Sequence, residues 1–209
     1  MSELPDRIRR AFERHGAFEP KTDGVINELT TEPSTEEEAA TQSTDDSAAA
    51  PIAGDSIAAP STGDDPVVRY AVTTTPFESI VEARPVHDRL VRFRILIGVP
   101  MLNRVTEDHV ADVVEEGWYE TFERRVEDIG AVTRRDRNLD PTVRTDGERA
   151  IVTVSIEDRN VDRGLDDAKA IVDYVEGTYV QGIIPGYEYT GAVEQLISRA
   201  RSTGETARE

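Results

Sequence analysis

Between Glu28 and Pro66 the chain carries ten acidic residues, no basic one and almost no large apolar side chain. A stretch of Ser, Thr, Ala, Pro, Gly and acid cannot bury enough surface to offset the entropy of ordering it. Residues 28–66 are therefore expected to form a disordered acidic insertion. The core must come from 1–27 and 67–202, enough chain for one hydrophobic domain, with 203–209 as a flexible tail. Outside the insertion 32 acids still face 24 bases, and Lys21 and Lys169 are the only lysines against 22 arginines. Such an excess suits a cytoplasm of molar salt, where the screening length falls to ~3 Å. The same charge opposes binding to phosphate backbones, so nucleic acid is an unlikely partner. Ile95–Leu102, the best apolar run, is far short of the ~20 residues of a membrane span. Met1–Arg14 is charged and lacks the apolar centre of a secretory signal. With no cysteine, disulfides, thiolate nucleophiles and Cys-ligated metals are excluded.

Apolar periodicity gives the elements. Leu4, Ile8, Ala11 and Phe12 share a helix face, with Ser2 as cap and Gly16 as stop. Three strands follow, Val67–Thr74, Phe77–Arg84 and Arg89–Ile97, each with period-two apolar positions. Pairing Val81 with Phe93 and Glu82 with Arg92 satisfies both faces of the second hairpin. A helix beginning at Thr106, with Val105 and Val110 as a hydrophobic staple, runs through Val113, Trp118, Phe122 and Val126 to Ile129. Gly117 marks a bend, a break or a close packing point. Thr142–Thr145 and Arg149–Glu157 form a hairpin through Asp146-Gly147. A helix from Gly164 to Glu176, ended by Gly177, precedes a last helix after Thr190. The order α-β-β-β-α-β-β-α-α predicts an α+β fold: an antiparallel sheet of about five strands with helices on one face.

Several of these segments carry a resemblance. Thr74-Thr75-Pro76-Phe77, the run Gly117 to Arg125 and the longer run Asp167 to Tyr189, together with Arg7–Phe18, resemble a family of small haloarchaeal proteins with a domain of unknown function. The resemblance implies one compact domain and a haloarchaeal cytoplasm, and transfers no activity. In topology alone, the element order is similar to the type III secretion chaperone-like fold, whose members bind proteins and commonly dimerise; the extra final helix departs from it.

Motifs for catalysis are missing: no G-x-G-x-x-G, no Walker loop, no H-E-x-x-H and no G-x-S-x-G. No catalytic residue, cofactor or metal is assigned, and the chain is read as leaning away from enzyme chemistry. His15, His87 and His109 fall on separate elements, which disfavours a metal site. Asp136, Asn138 and Asp140 have calcium-loop spacing, but Pro141 stands where glycine is needed. Asp158, Asn160 and Asp162 repeat it with Arg163 at that position, so a turn with Asp162 as helix cap explains them better. Arg69, Arg92 and Arg94 share a sheet face with Glu78 and Glu82, which favours cross-strand ion pairs over an anion site. Arg134, Arg135 and Arg137 form a basic turn without an aromatic for base stacking.

What remains is the segment between the last two helices. Tyr179, Gln181, Ile183, Pro185, Tyr187, Glu188 and Tyr189 combine aromatic, apolar and acidic groups in a Gly- and Pro-stiffened stretch. They are the candidate binding residues. The reading is a non-catalytic interaction module that self-associates, as a dimer, or binds a protein partner. The alternative is a small-ligand binder or enzyme using the tyrosines and Glu188. Ile183 and Ile184 are expected to be largely buried, with at least one tyrosine partly exposed.

Overall fold

The computed structural model describes residues 3–21, 67–87, 89–135 and 137–206. The acidic stretch 28–66, the Ser2 cap and residues 207–209 lie outside them. Helix α1 (Glu3–His15) buries Ile8, Ala11 and Phe12 and ends at Gly16, whose φ of 68° is the left-handed geometry a helix stop uses. Strand β1 (Phe18–Pro20) follows, then β2 (Val68–Val72), β3 (Glu78–Pro85) and β4 (Val91–Pro100). After a 3-10 turn at Leu102–Arg104 come α2 (Asp112–Val126) and a second 3-10 stretch, Glu127–Val132. Strands β5 (Thr142–Thr145) and β6 (Arg149–Asp158) precede α3 (Val161–Gln181) and α4 (Gly191–Thr206).

Among the described residues the architecture is α+β: six antiparallel strands in the order β1-β2-β3-β4-β6-β5, with four helices. The sixth strand is β1, too short for a period-two signal, which pairs Phe18 with Val72 at the edge. The described helices all contribute to the core on one face. Val91, Phe93, Ile95, Ile97 and Val99 of β4 and Val152, Val154 and Ile156 of β6 supply the sheet side of that core. Phe12 stacks on Tyr70 at 4.1 Å and meets Phe18 edge-on, which fastens α1 to the β1–β2 end. Ile80, Leu96 and Ile151 form a separate buried cluster on the opposite face.

Five local expectations need correction. The β3–β4 hairpin pairs Val81 with Ile95 and Glu82 with Arg94, two residues from the predicted register. A shift of two preserves both faces, so side-chain patterning could not detect it. The turn decides: Leu90 N–H donates to His87 O (2.7 Å), Val86 N–H to Leu90 O (2.8 Å), and Arg89 sits at φ 65°. Helix α2 starts at Asp112 instead of Thr106, because Asn103 captures the preceding segment: its Oδ1 accepts from Val110 N–H and its Nδ2 donates to Val110 O. Thr106 is held instead in a turn, donating from Oγ1 to the Leu102 and Asp108 carbonyls. Helix α3 begins three residues before Gly164 and passes through Gly177 to Gln181; Asn160, and not Asp162, caps it by accepting from Arg163 N–H at 3.0 Å. Gly117 does not break α2, which runs through it as one helix. At the C-terminal end α4 reaches Thr206, into the stretch expected to be a tail.

Candidate functional site

Tyr179 lies in the last turns of α3 with no exposed surface. Its ring meets Trp118 edge-on at 5.5 Å and Phe77 at 4.9 Å, so it is an aromatic joint between α3, α2 and the start of β3. Burial, reinforced by Tyr189 and Glu115, pushes its phenol far above the ordinary tyrosine range. The hydroxyl finds no hydrogen-bond partner among the described residues. Of the candidate binding residues, Tyr179 is thus a core residue and offers a partner no surface.

Downstream the chain turns outward. Gly182 N–H bonds both Thr178 O and Tyr179 O as α3 ends. A side chain at Gly182 would put its Cβ 2.9 Å from Trp118 Nε1, so the indole's close approach requires glycine there. Gly186, at φ 100°, makes the following turn. Tyr189 then folds back: its hydroxyl accepts from Ile184 N–H at 2.9 Å and donates to Ile184 O at 3.3 Å. Burial raises its pKa, partly offset by that N–H bond. The strand-like bridge Thr106–Tyr189 ties the loop to the segment before α2, with Glu107 N–H on Glu188 O and Thr190 N–H on Val105 O. That segment is itself knotted, since Glu115 accepts from the backbone N–H and Nδ2 of Asn103.

The result is a braced loop with two concavities. One, about 520 Å³, lies among Ile183, Ile184, Pro185, Tyr187, Glu188, Tyr189 and Ile197, with Glu107 and Glu194 at its rim. Ile183 and Ile184 are half-buried, more open than expected; Tyr187 and Tyr189 are half-buried, and Gln181, Pro185 and Glu188 are exposed. The other, about 380 Å³, runs between α2 and the end of α3. Trp118 and Phe122 are among its lining residues, with Val113, Gly117 and Thr121 from α2 and Gln181, Gly182 and Ile184 from the loop side. Ile184 belongs to both. Val113, at 74% exposure, is the most open large apolar side chain described. The α2 groove was not legible in the sequence, because Val113 was placed in the buried stripe.

A family model matches residues 57–199, more than half of the chain. The chain belongs to the family of unknown function DUF5813. The DUF5813 match contains β2 through most of α4, hence both concavities, and leaves out α1 and β1. No curated protein and no solved structure matches the chain.

Elsewhere, charged groups are turned to structure. On the open sheet face Arg69 bonds Glu82 (2.7 Å), Arg92 bonds Glu157 (2.7 Å), and Glu78 receives Lys21 (2.9 Å) and Arg149 (3.1 Å). Of these, Arg69–Glu82 joins two of the residues expected to pair; Arg92 turns to Glu157 instead, and Glu78 is taken by Lys21 and Arg149. In the basic turn, Arg134 reaches Asp166 and Arg137 reaches the buried Asp158. Asp158 also accepts from Nε and Nη2 of Arg163 and from Asn160 N–H. Burial works to raise its pKa, but the Arg163 bond, the Asn160 N–H and Arg137 outweigh it and hold the carboxyl below the usual range. Asp158 and Asn160, two of the calcium-spaced residues, are therefore a guanidinium clamp and a helix cap. His15 pairs with Asp166 at 3.1 Å, while His87 and His109 stand on other segments. No helix among the described residues is long and apolar enough to cross a membrane.

Proposed function

We propose that the chain is a non-catalytic interaction module that self-associates in the cytoplasm of a halophile. The observation that supports this reading most is the braced loop beside an apolar groove with an exposed valine on its lip. An apolar groove rimmed by polar residues, here Thr121, Arg125 and Gln181, is the kind of surface at which proteins meet partners. Rigidity favours recognition, because a surface held by Tyr189, Gly182 and the Thr106 bridge has little ordering entropy left to lose on binding. The acidic balance and the near-absence of lysine support the halophilic setting. A second reading, binding of a cationic small molecule, draws on the carboxylates of Glu107, Glu188 and Glu194 around the loop cavity.

Tyr187→Ala separates these readings. As a contact residue, its loss leaves the monomer within about 1 kcal/mol of native stability and weakens association measured by light scattering. Unfolding without any change in association contradicts the reading. Mass spectrometry of chain purified from native cells at molar salt distinguishes the second: a retained cationic small molecule supports it, a retained protein the first.

A further inference from the structure

We propose that a second copy of this chain docks in the groove between α2 and the end of α3, the two α2 helices packing antiparallel about a two-fold axis. The proposal rests on the self-association reading and names its surface. Val113, Gly117 and Thr121 are spaced i, i+4, i+8 and so lie along one side of α2. Val113 is open to solvent, and a Cβ on Gly117 would meet nothing within 4 Å. Glycine weakens a helix interior, and nothing in the packing of the described residues requires it at 117. A bare backbone on an exposed helix face is what close approach by another helix requires.

Charge fixes the direction. The first half of α2 carries Asp112, Glu115 and Glu116 and no base, whereas the second half carries Glu120 and Glu123 together with Arg124 and Arg125, the bases of its last turn. Arg124 makes one weak bond, 3.4 Å to Thr121 Oγ1, and among the described residues neither arginine has an ion-pair partner. Parallel packing would set like charges against like. Antiparallel packing sets each arginine pair against the other copy's acids, and the helix dipoles agree with it. With Gly117 opposite the partner's Thr121, Arg124 stands within one helical turn, ~5.4 Å along the axis, of the partner's Glu116. The contact is self-complementary, as a closed dimer requires.

The test is charge complementation. Two variants are made in the full chain, Arg124→Glu with Arg125→Glu, and Glu116→Arg with Glu120→Arg. Both are examined by light scattering at the lowest salt where circular dichroism shows them folded. Each alone should weaken dimerisation at least tenfold, and an equimolar mixture should restore it, because the exchanged charges then meet opposite ones across the contact. Val113→Arg, which the same register sets against the partner's Arg125, should weaken it too, and the chain carrying Arg124→Glu with Arg125→Glu should rescue it. Variants that dimerise like the native chain, or a mixture that stays monomeric, overturn the proposal. A native chain that is itself monomeric removes the self-association reading as well. A dimer indifferent to α2 but broken by Tyr187→Ala keeps that reading and overturns only this one.

Discussion

Gly164 of α3 lies against the sheet so closely that a Cβ there would stand 2.3 Å from Phe93 Cε2. Gly130 is tighter still, with Arg137 O at 2.0 Å from the same imagined atom, and a backbone carbonyl cannot swing aside. Gly164→Ala should cost about 1–3 kcal/mol by overpacking, and Gly130→Ala at least as much, measured by denaturant melts. Gly117→Ala should instead raise the stability of the isolated monomer by about 1 kcal/mol, since its surroundings are empty. Tyr179 makes a related distinction. Its hydroxyl is buried without a partner, so Tyr179→Phe should be neutral or stabilising, whereas Tyr179→Ala should cost about 3–5 kcal/mol. Asp158 sets an acid limit. Its carboxyl has a lower pKa folded than unfolded, so its contribution is complete above the unfolded value and is lost as pH falls through the folded one. Asp158→Asn should destabilise at neutral pH by about 1–3 kcal/mol, leaving Arg163 without its counter-charge and Arg137 with only Asp167 at 3.6 Å. It should also flatten the loss of stability below about pH 4.

At the scale of elements, what the sequence makes legible is what burial dictates. The central strands, the faces they present, the Asp146-Gly147 hairpin and the core stripe of α3 follow from alternation or helical periodicity. What is missed depends on polar side chains bonding backbone. Asn103 delays α2 because one amide satisfies both Val110 N–H and O, a competition that apolar spacing does not register. Asn160 takes the cap from Asp162 for the same kind of reason. Gly177 is carried through α3 because the helix around it is already held on one side by Val175 and Tyr179. Asn103→Ala should therefore cost about 1–3 kcal/mol and raise amide hydrogen exchange around Val110 and the first turn of α2. Unchanged exchange there would show that the start of α2 is set by something else.

Over the whole molecule, the candidate site was half legible. Tyr187, Glu188 and Tyr189 stand together at the surface as their composition suggested, but Tyr179 went inward because its position in α3 faces Trp118. Val113 went outward because α2 is rotated about the Trp118–Phe122 side that it buries. The acid excess makes a prediction of its own: the thermal midpoint should rise between about 0.1 M and about 2 M KCl as screening shortens the reach of like-charge repulsion. Equal midpoints would argue against a halophilic setting. The central claim is that this surface exists to meet another protein surface, first of all its own. Sedimentation equilibrium of the native chain at molar KCl, over the micromolar concentration range, tests it most directly. The account predicts a mass that rises to twice that of the 23.1 kDa chain and stays there. A mass that remains at one chain over the whole range would contradict it.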